Sequence, residues 1–378
     1  MERSKKIFAI VLTALFLCWI SLLLLNEPFQ FYKEQKISKS ENRNLARKPF
    51  FNPGLLDPYP KAYEAYFNDH FLFRPQILRF NTLTNYFLFH KSPSPNDVAI
   101  GKEGWFYLAQ KEKKLYTGKY SLTNRQIIDI AWEFKHRTDH LQKKGIKFYV
   151  VFAPMKQDIY PEFLPADYIH SPSGTVTEKI VAAMKTCGGI NYIDLVKPLM
   201  EARKYGRLYY KADNHWNKLG AYFAYREIAK RIREDFPAVK MIESSDVSFR
   251  DTLTRSGNLA IMTDLSDYIK EVDILPTLKH QRARTGRNAG YKPPQNDLGD
   301  DYELVRETGD VTLPRAVVIR DSFTNALKPY LDETFQKTVY IFDGWNYYEN
   351  TEIIDHEKPD LVLLIVYEPH IHNVGYIP

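Results

Sequence analysis

Val317-Val318-Ile319-Arg320-Asp321-Ser322-Phe323 is the stretch on which the reading of this chain turns. Val317 to Ile319 reads as a short strand buried on both faces, and Thr324 to Leu331 reads as the opening of a helix. Ser322 therefore falls at a strand-to-helix turn, where a hydroxyl is exposed and backbone N–H groups point at a developing oxyanion. Upstream, Asp213-Asn214-His215-Trp216 supplies a carboxylate and an imidazole. Serine needs a base to become a nucleophile at neutral pH, and the base needs a carboxylate to hold its tautomer. Asp213 and His215 are two apart on a loop before a helix starting near Lys218, so both side chains project to one side of an extended segment.

Working outward, the pattern alternates strand and helix. Phe148 to Phe152, Ile190 to Val196, Val317 to Ile319, Thr338 to Phe342 and Leu361 to Val366 are short apolar runs, with helical spacing between several of them. Leu219 to Arg233 is one such helix. A second begins with the capping-box pattern Thr123-Asn124-Arg125-Gln126, continues through Ile127, Ile130, Phe134 and Leu141, and stops at Gly145. Fully apolar strands joined by helices predict an α/β fold with a mainly parallel sheet covered on both faces. A serine at the C-terminal end of such a strand lies where open α/β sheets place their ligands. Val98 to Gly101 and Gly104 to Tyr107 read as a hairpin. Between Lys279 and Gly309 the pattern fails. Lys279, Arg282, Arg284, Arg287 and Lys292 precede an acidic patch at Asp297, Asp300 and Asp301, which reads either as a solvated excursion or as a basic lip for an anionic polymer.

The N-terminus is of another kind. Arg3, Lys5 and Lys6 precede an uncharged run from Ile7 to Leu25, closed by Asn26-Glu27-Pro28. Roughly 19 residues at about 1.5 Å rise approach the thickness of a bilayer core. This predicts a transmembrane anchor with the basic flank in the cytoplasm and the remainder outside, in a periplasmic or extracellular position. A cleaved signal peptide is the alternative, but no small-residue cleavage site follows Leu22 to Leu25. Tyr59 to His90, rich in aromatics, reads as one or two amphipathic helices whose stripe forms core. Ser92-Pro93-Ser94-Pro95 then breaks the chain. The expected organisation is an anchor over 1–30, a helical extension over 31–95 and a catalytic domain over 96–378.

The 378 residues carry a net charge of +6 spread along the chain, with no zinc-finger, RNP or helix-turn-helix pattern, so no nucleic-acid partner is expected. Asp-x-His with a distant serine also arises by chance, and metal binding is a rival for Asp213 and His215. The other histidines form no convincing partner set, and His136 and His140, four apart on a helix, lack a third ligand. No metal is assigned. There is no nucleotide-binding fingerprint, so no cofactor is expected either. Cys187 reads as a small interior residue.

Six pieces occur in an order that carries a resemblance. They are Glu41-Asn42-Arg43; Asn68-Asp69-His70-Phe71 with Phe73-Arg74; Ile100-Gly101-Lys102-Glu103-Gly104-Trp105-Phe106; Pro154-Met155-Lys156 with Tyr160-Pro161; Asp213-Asn214-His215-Trp216 with Gly220; and Asp321-Ser322-Phe323. On these the chain resembles the alginate O-acetyltransferase family of AlgJ and AlgX proteins and the related DHHW proteins, which are SGNH-hydrolase-like. The resemblance implies a three-layer α/β/α fold, with Ser322 as nucleophile, His215 as general base and Asp213 as its orienting carboxylate. It implies an oxyanion hole using the Ser322 N–H, with a second donor from Gly257-Asn258-Leu259, where related chains carry Gly-Asp-Leu. Lys156, Trp216 and Arg320 are the candidate substrate-binding residues. The implied activity is acetyl transfer to a polysaccharide acceptor, with a multipass membrane O-acyltransferase as the acetyl-donor partner. An acetylesterase and a non-catalytic polysaccharide-binding assembly protein are the alternatives.

Overall fold

The computed structural model describes residues 2–29, 44–54, 56–71, 73–255, 257–293, 302–343 and 346–374. Its contacts divide into two units, one of 1–93 with 261–265 and one of 94–260 with 266–378. Glu41-Asn42-Arg43 and the acidic patch at 297–301 lie outside the described residues.

The strands of the second unit are, in chain order, β1 (Val98–Ile100), β2 (Phe106–Leu108), β3 (Lys147–Ala153), β4 (Asn191–Ile193), β5 (Val247–Arg255), β6 (Lys270–Leu278), β7 (Arg284–Thr285), β8 (Glu303–Glu307), β9 (Ala316–Arg320), β10 (Lys337–Phe342) and β11 (Leu361–Tyr367). Seven form one sheet in the order β4-β3-β11-β9-β10-β8-β7. The first five run parallel, with β11 between β3 and β9. Then β8 and β7 continue the sheet antiparallel, which makes it mixed. Every residue of β9 and β11 is buried, as two-faced central strands require. The segment expected as an excursion after Lys279 thus contributes the last two strands of the sheet, with β7 at its edge, and Arg282 there is tied to Asp310 and Glu333.

The helices follow their local signals. Thr123 caps Asn124–Lys143 with the full capping box, and Gly145 follows at φ +75°. Val176–Cys187 carries a second capping box from Thr175 and Glu178. Asn217 caps Lys218–Asp235 by accepting from the Gly220 N–H. The run Ile190 to Val196 is shorter as a strand than its composition suggests, because Val196 already opens the helix Val196–Ala202. Parallel order places the C-terminal ends of β3, β11 and β9 along one edge, so Lys156, Glu368 and Ser322 all follow strands that end on the same side.

One element has no counterpart in the sequence reading. β5 and β6 form a separate antiparallel hairpin, from Val247 opposite Leu278 to Arg255 opposite Lys270. Its polarity is inverted: on β6, Glu271 and Asp273 are buried while Val272 between them is exposed.

In the first unit, Glu2–Phe29 is one helix of 28 residues. Among the described residues no helix is long and apolar enough to cross a membrane. The side chains at 19, 20 and 22–25, part of the expected anchor, lie outside the described residues. The aromatic stretch forms helices Pro58–His70 and Arg74–Leu83. No residue of Pro58–His70 is buried, so its stripe is not a core. Its rings stack on one another instead, Tyr59 on Tyr63 and Tyr66 on His70.

Gly220 fixes how closely the helix Lys218–Asp235 approaches the segment before it, since a Cβ there would stand 2.1 Å from the Leu208 carbonyl oxygen. Backbone cannot yield as a flexible side chain does, so Gly220→Ala should destabilise by about 1–3 kcal/mol. A shift of the urea midpoint at constant slope would measure it.

Candidate functional site

The segment from Tyr210 to Asn217 is a half-buried loop, paired at its base, where Tyr209 bridges Trp216 and the Tyr210 N–H donates to the His215 carbonyl, and beside β2, where the Phe106 N–H donates to the Lys211 carbonyl. Its peptide groups are satisfied from several sides. The Glu271 carboxylate accepts from the N–H groups of Lys211, at 2.7 Å, and Ala212, at 2.8 Å. The Lys156 ammonium donates to the carbonyls of Tyr210, Lys211 and Asp213, at 3.1, 3.0 and 2.7 Å. The Leu259 and Ala260 N–H groups donate to the Ala212 carbonyl. Asp273 accepts from the Asn217 side chain and from Arg207, which also reaches Glu271. A loop so tied presents its side chains in one geometry.

That geometry is a hydrogen-bonded chain. His215 Nδ1–H donates to Asp213 Oδ1 at 2.7 Å, and the His215 backbone N–H donates to the same oxygen at 3.0 Å. Ser322 Oγ–H donates to His215 Nε2 at 2.8 Å. The other carboxylate oxygen, Asp213 Oδ2, accepts from the Asn258 N–H at 2.8 Å. Burial pushes the Asp213 carboxyl up, but the His215 and Asn258 hydrogen bonds outweigh it and hold the group below its ordinary value. Asp213 is therefore ionised at neutral pH, which fixes the proton on Nδ1 and leaves Nε2 as the acceptor facing the serine. The imidazole packs on the Phe323 ring with centroids 4.5 Å apart, and Phe323 stacks on Tyr367 at 4.3 Å.

The Ser322 turn is held from behind by Asp321. Its buried carboxylate accepts from the N–H groups of Phe323, at 2.9 Å, and Tyr367, at 2.5 Å, and from the Tyr347 hydroxyl at 3.0 Å. Arg137 in turn donates to the Tyr347 carbonyl. Ser322 opens a 3-10 turn, so its N–H lies among the orphan donors of a helix start. Asp213, Ser322 and His215 are half-buried or buried at the edge where the parallel strands end.

The other candidates stand elsewhere than expected. Lys156, Trp216 and Arg320 are each 1 % exposed, so none can line a sugar pocket. Lys156 lies beneath the loop, with its ammonium 4.9 Å from the Tyr107 ring centroid. Trp216 donates from Nε1 to the Phe323 carbonyl at 3.0 Å, bracing the two motifs against each other. Arg320 lies over the Phe342 ring and donates to Asn325 Oδ1. The Asn258 N–H, a candidate oxyanion donor, is taken by Asp213, while the residue itself is exposed. Sequence reasoning passed over Glu271, Asp273 and Arg207, whose inward-facing charges no local pattern marks. Asn217 did carry a signal, a helix cap three residues before Gly220.

Gly257 explains how Asn258 reaches the carboxylate: a Cβ at 257 would stand 2.3 Å from Asp213 Cβ and 2.5 Å from its Oδ2. Gly257→Ala should therefore move Asp213 off His215 and slow fluorophosphonate labelling of Ser322 by at least about tenfold, since misplacement of about 1 Å can cost 100-fold. Intact-mass kinetics would read the rate.

Residues 98–341 match the family model described as the SGNH hydrolase-like domain, acetyltransferase AlgX. Among curated relatives, the probable alginate O-acetylase AlgJ of Pseudomonas aeruginosa is 24% identical over 279 residues, covering 72% of this chain and 66% of that protein. The one from Azotobacter vinelandii is 24% identical over 253 residues, covering 65% and 61%. The chain thus spans just under two thirds of the length of these relatives. Among solved structures, Bacillus cereus PatB1 is similar in fold, with TM-score 0.54 at 18% identity over 72% of this chain and 96% of that one. The structure of PatB1 with a sulfonyl adduct gives 0.53 at 19% identity, over 72% and 97%. The matched residues cover more than half of the chain and include Asp213, His215 and Ser322, and the chain belongs to the family of the SGNH hydrolase-like domain of acetyltransferase AlgX.

Proposed function

We propose that this chain is an extracytoplasmic O-acetyltransferase that moves an acetyl group onto a polysaccharide hydroxyl through an acetyl-Ser322 intermediate. The observation that carries the reading is the continuous path Asp213–His215–Ser322, at 2.7 and 2.8 Å. Family membership supports it, as does the name of the curated relatives, alginate O-acetylase.

In the first half-reaction Ser322 Oγ attacks the acetyl carbonyl carbon while its proton passes to His215 Nε2. Asp213 stabilises the imidazolium that forms, at no cost in reorientation because it already accepts from Nδ1. The oxyanion is assigned to the Ser322 N–H, with the side-chain amide of the exposed Asn258 as the second donor, its backbone N–H being engaged by Asp213. The leaving oxygen takes the proton from His215. In the second half a sugar hydroxyl gives its proton to His215 Nε2 and attacks the acetyl-serine, forming the sugar ester and restoring the Ser322 hydroxyl. Water in place of sugar would make the same site an esterase.

The acetyl donor would be supplied by a multipass membrane O-acyltransferase, because acetyl-CoA belongs to the cytoplasm. The uncharged run Ile7 to Leu25 after Arg3, Lys5 and Lys6 supports a single anchor over 1–30, with a helical extension to 95 and the catalytic domain outside.

With the detergent-solubilised full chain and an acetyl ester donor, mass spectrometry should find acetylated oligosaccharide, and Ser322→Ala should lower the rate at least about 1,000-fold. Acetate release alone would replace the transferase with an esterase, and full activity in Ser322→Ala would remove Ser322 from the reaction. A phosphatase reporter fused after residue 30 should be active only outside the cytoplasm; cytoplasmic activity would refute the orientation.

A further inference from the structure

Lys156 occupies a position for which the reaction just described has no use. It touches no solvent-facing part of the site, and its three N–H donors all point at backbone oxygens of one segment, the carbonyls of Tyr210, Lys211 and Asp213. On the opposite side of that segment, Glu271 takes the N–H groups of Lys211 and Ala212. A buried cation and a buried anion thus grip the backbone immediately before Asp213. Burying an ammonium costs several kcal/mol, and an apolar residue of the same length would remove that cost only by leaving three carbonyls without this donor, the Lys211 carbonyl alone keeping the Phe106 N–H. The geometry points to Lys156 as a positioning residue for the acyl transfer: its ammonium sets where Asp213 stands, and so whether His215 faces Ser322 with its acceptor nitrogen. This inference rests on the Ser322 reading above.

The charge state is part of the device. An ammonium supplies three N–H donors for three carbonyls, whereas a neutral amine has two and turns a lone pair toward the third. Burial lowers the Lys156 ammonium to about 7, against the pull of the Glu112, Asp213 and Glu271 carboxylates and with the push of Arg207. The remaining facing groups are the Trp105 and Tyr107 rings, at 5.6 and 4.9 Å, and Lys211, whose ammonium also lies near Trp105. The folded value lies below that of an unfolded lysine, about 10.4, so between the two the unfolded chain binds the extra proton. The contribution of this group to stability therefore rises with pH above about 7. Its grip on the loop weakens over the same range. A residue that only supports the fold would move activity and stability together; this one moves them in opposite directions.

The test uses the full chain in detergent and the pre-steady-state acetylation of Ser322 by p-nitrophenyl acetate. In the wild type the acylation rate should fall as pH rises through about 7 while the melting temperature does not fall with it. Lys156→Arg, which keeps its charge to beyond about pH 12, should abolish that descending limb. Lys156→Met should lower kcat at pH 6.5 at least 100-fold with KM within threefold of the wild type, and Lys156→Arg should recover at least tenfold of that loss. A folded Lys156→Met that acylates within threefold of the wild type overturns the proposal. So does a descending limb shared by wild type and Lys156→Arg, or a wild-type profile flat from pH 6.5 to 9; these two outcomes decide the matter if the Met variant fails to fold. An undiminished burst in Ser322→Ala would instead refute the acyl-serine reading itself, whatever Lys156 does.

Discussion

The site depends on one constraint: the partly buried segment from Tyr210 to Asp213 has isolated backbone bonds, such as the Phe106 N–H to the Lys211 carbonyl, but no sheet ladder to satisfy its peptide groups. Unpaired buried peptide groups cost about 1–3 kcal/mol each. The fold meets that demand with opposite charges, Glu271 on the N–H side and Lys156 on the carbonyl side. A loop held by ladder bonds would have had to be a strand, with successive side chains on opposite faces. Held this way, the chain is free to turn at Asn214 and return His215 toward the Asp213 carboxylate.

The serine side is built on the opposite principle. β9 is rigid because its five residues are buried and paired with β10, and the four from Ala316 to Ile319 are paired with β11 as well. The turn that follows inherits that rigidity through Asp321, whose carboxylate reaches β11 at the Tyr367 N–H and the Tyr347 hydroxyl beyond β10. Trp216 joins the two halves, since its indole N–H meets the carbonyl of Phe323, next to the serine. The hydrogen-bond distances of 2.7 and 2.8 Å along Asp213, His215 and Ser322 are thus a property of two independently fixed supports and one strut.

Much of the fold was legible because its physics is local. Five apolar runs mark the parallel strands, and Thr123, Gln126 and Gly145 mark a helix by capping chemistry that acts within a few residues. The hairpin of β5 and β6 was not legible, for a definite reason. Period-2 reading places the apolar residues of a strand inside, whereas here Val272 is outside and Glu271 and Asp273 are inside. Those acids face inward because the loop from Tyr210 to Asn217, distant in sequence, presents N–H groups there. Lys156, Trp216 and Arg320, candidates for substrate binding by sequence, lie buried for a related reason: a polar or aromatic residue beside a motif has a chemistry that sequence reveals and a direction that it does not.

By itself the sequence determined the α/β alternation, the uncharged N-terminal run, and the presence of a carboxylate and an imidazole on a loop before a helix and of a hydroxyl at a strand end. All of these follow from patterns a few residues long. Only the tertiary structure decided that the three groups meet, that Asn258 directs its backbone N–H to Asp213, and that Lys156 faces the backbone and not a substrate. Those outcomes depend on which peptide groups remain unsatisfied once the layers have packed, and that demand is defined only when residues far apart in the chain have come together.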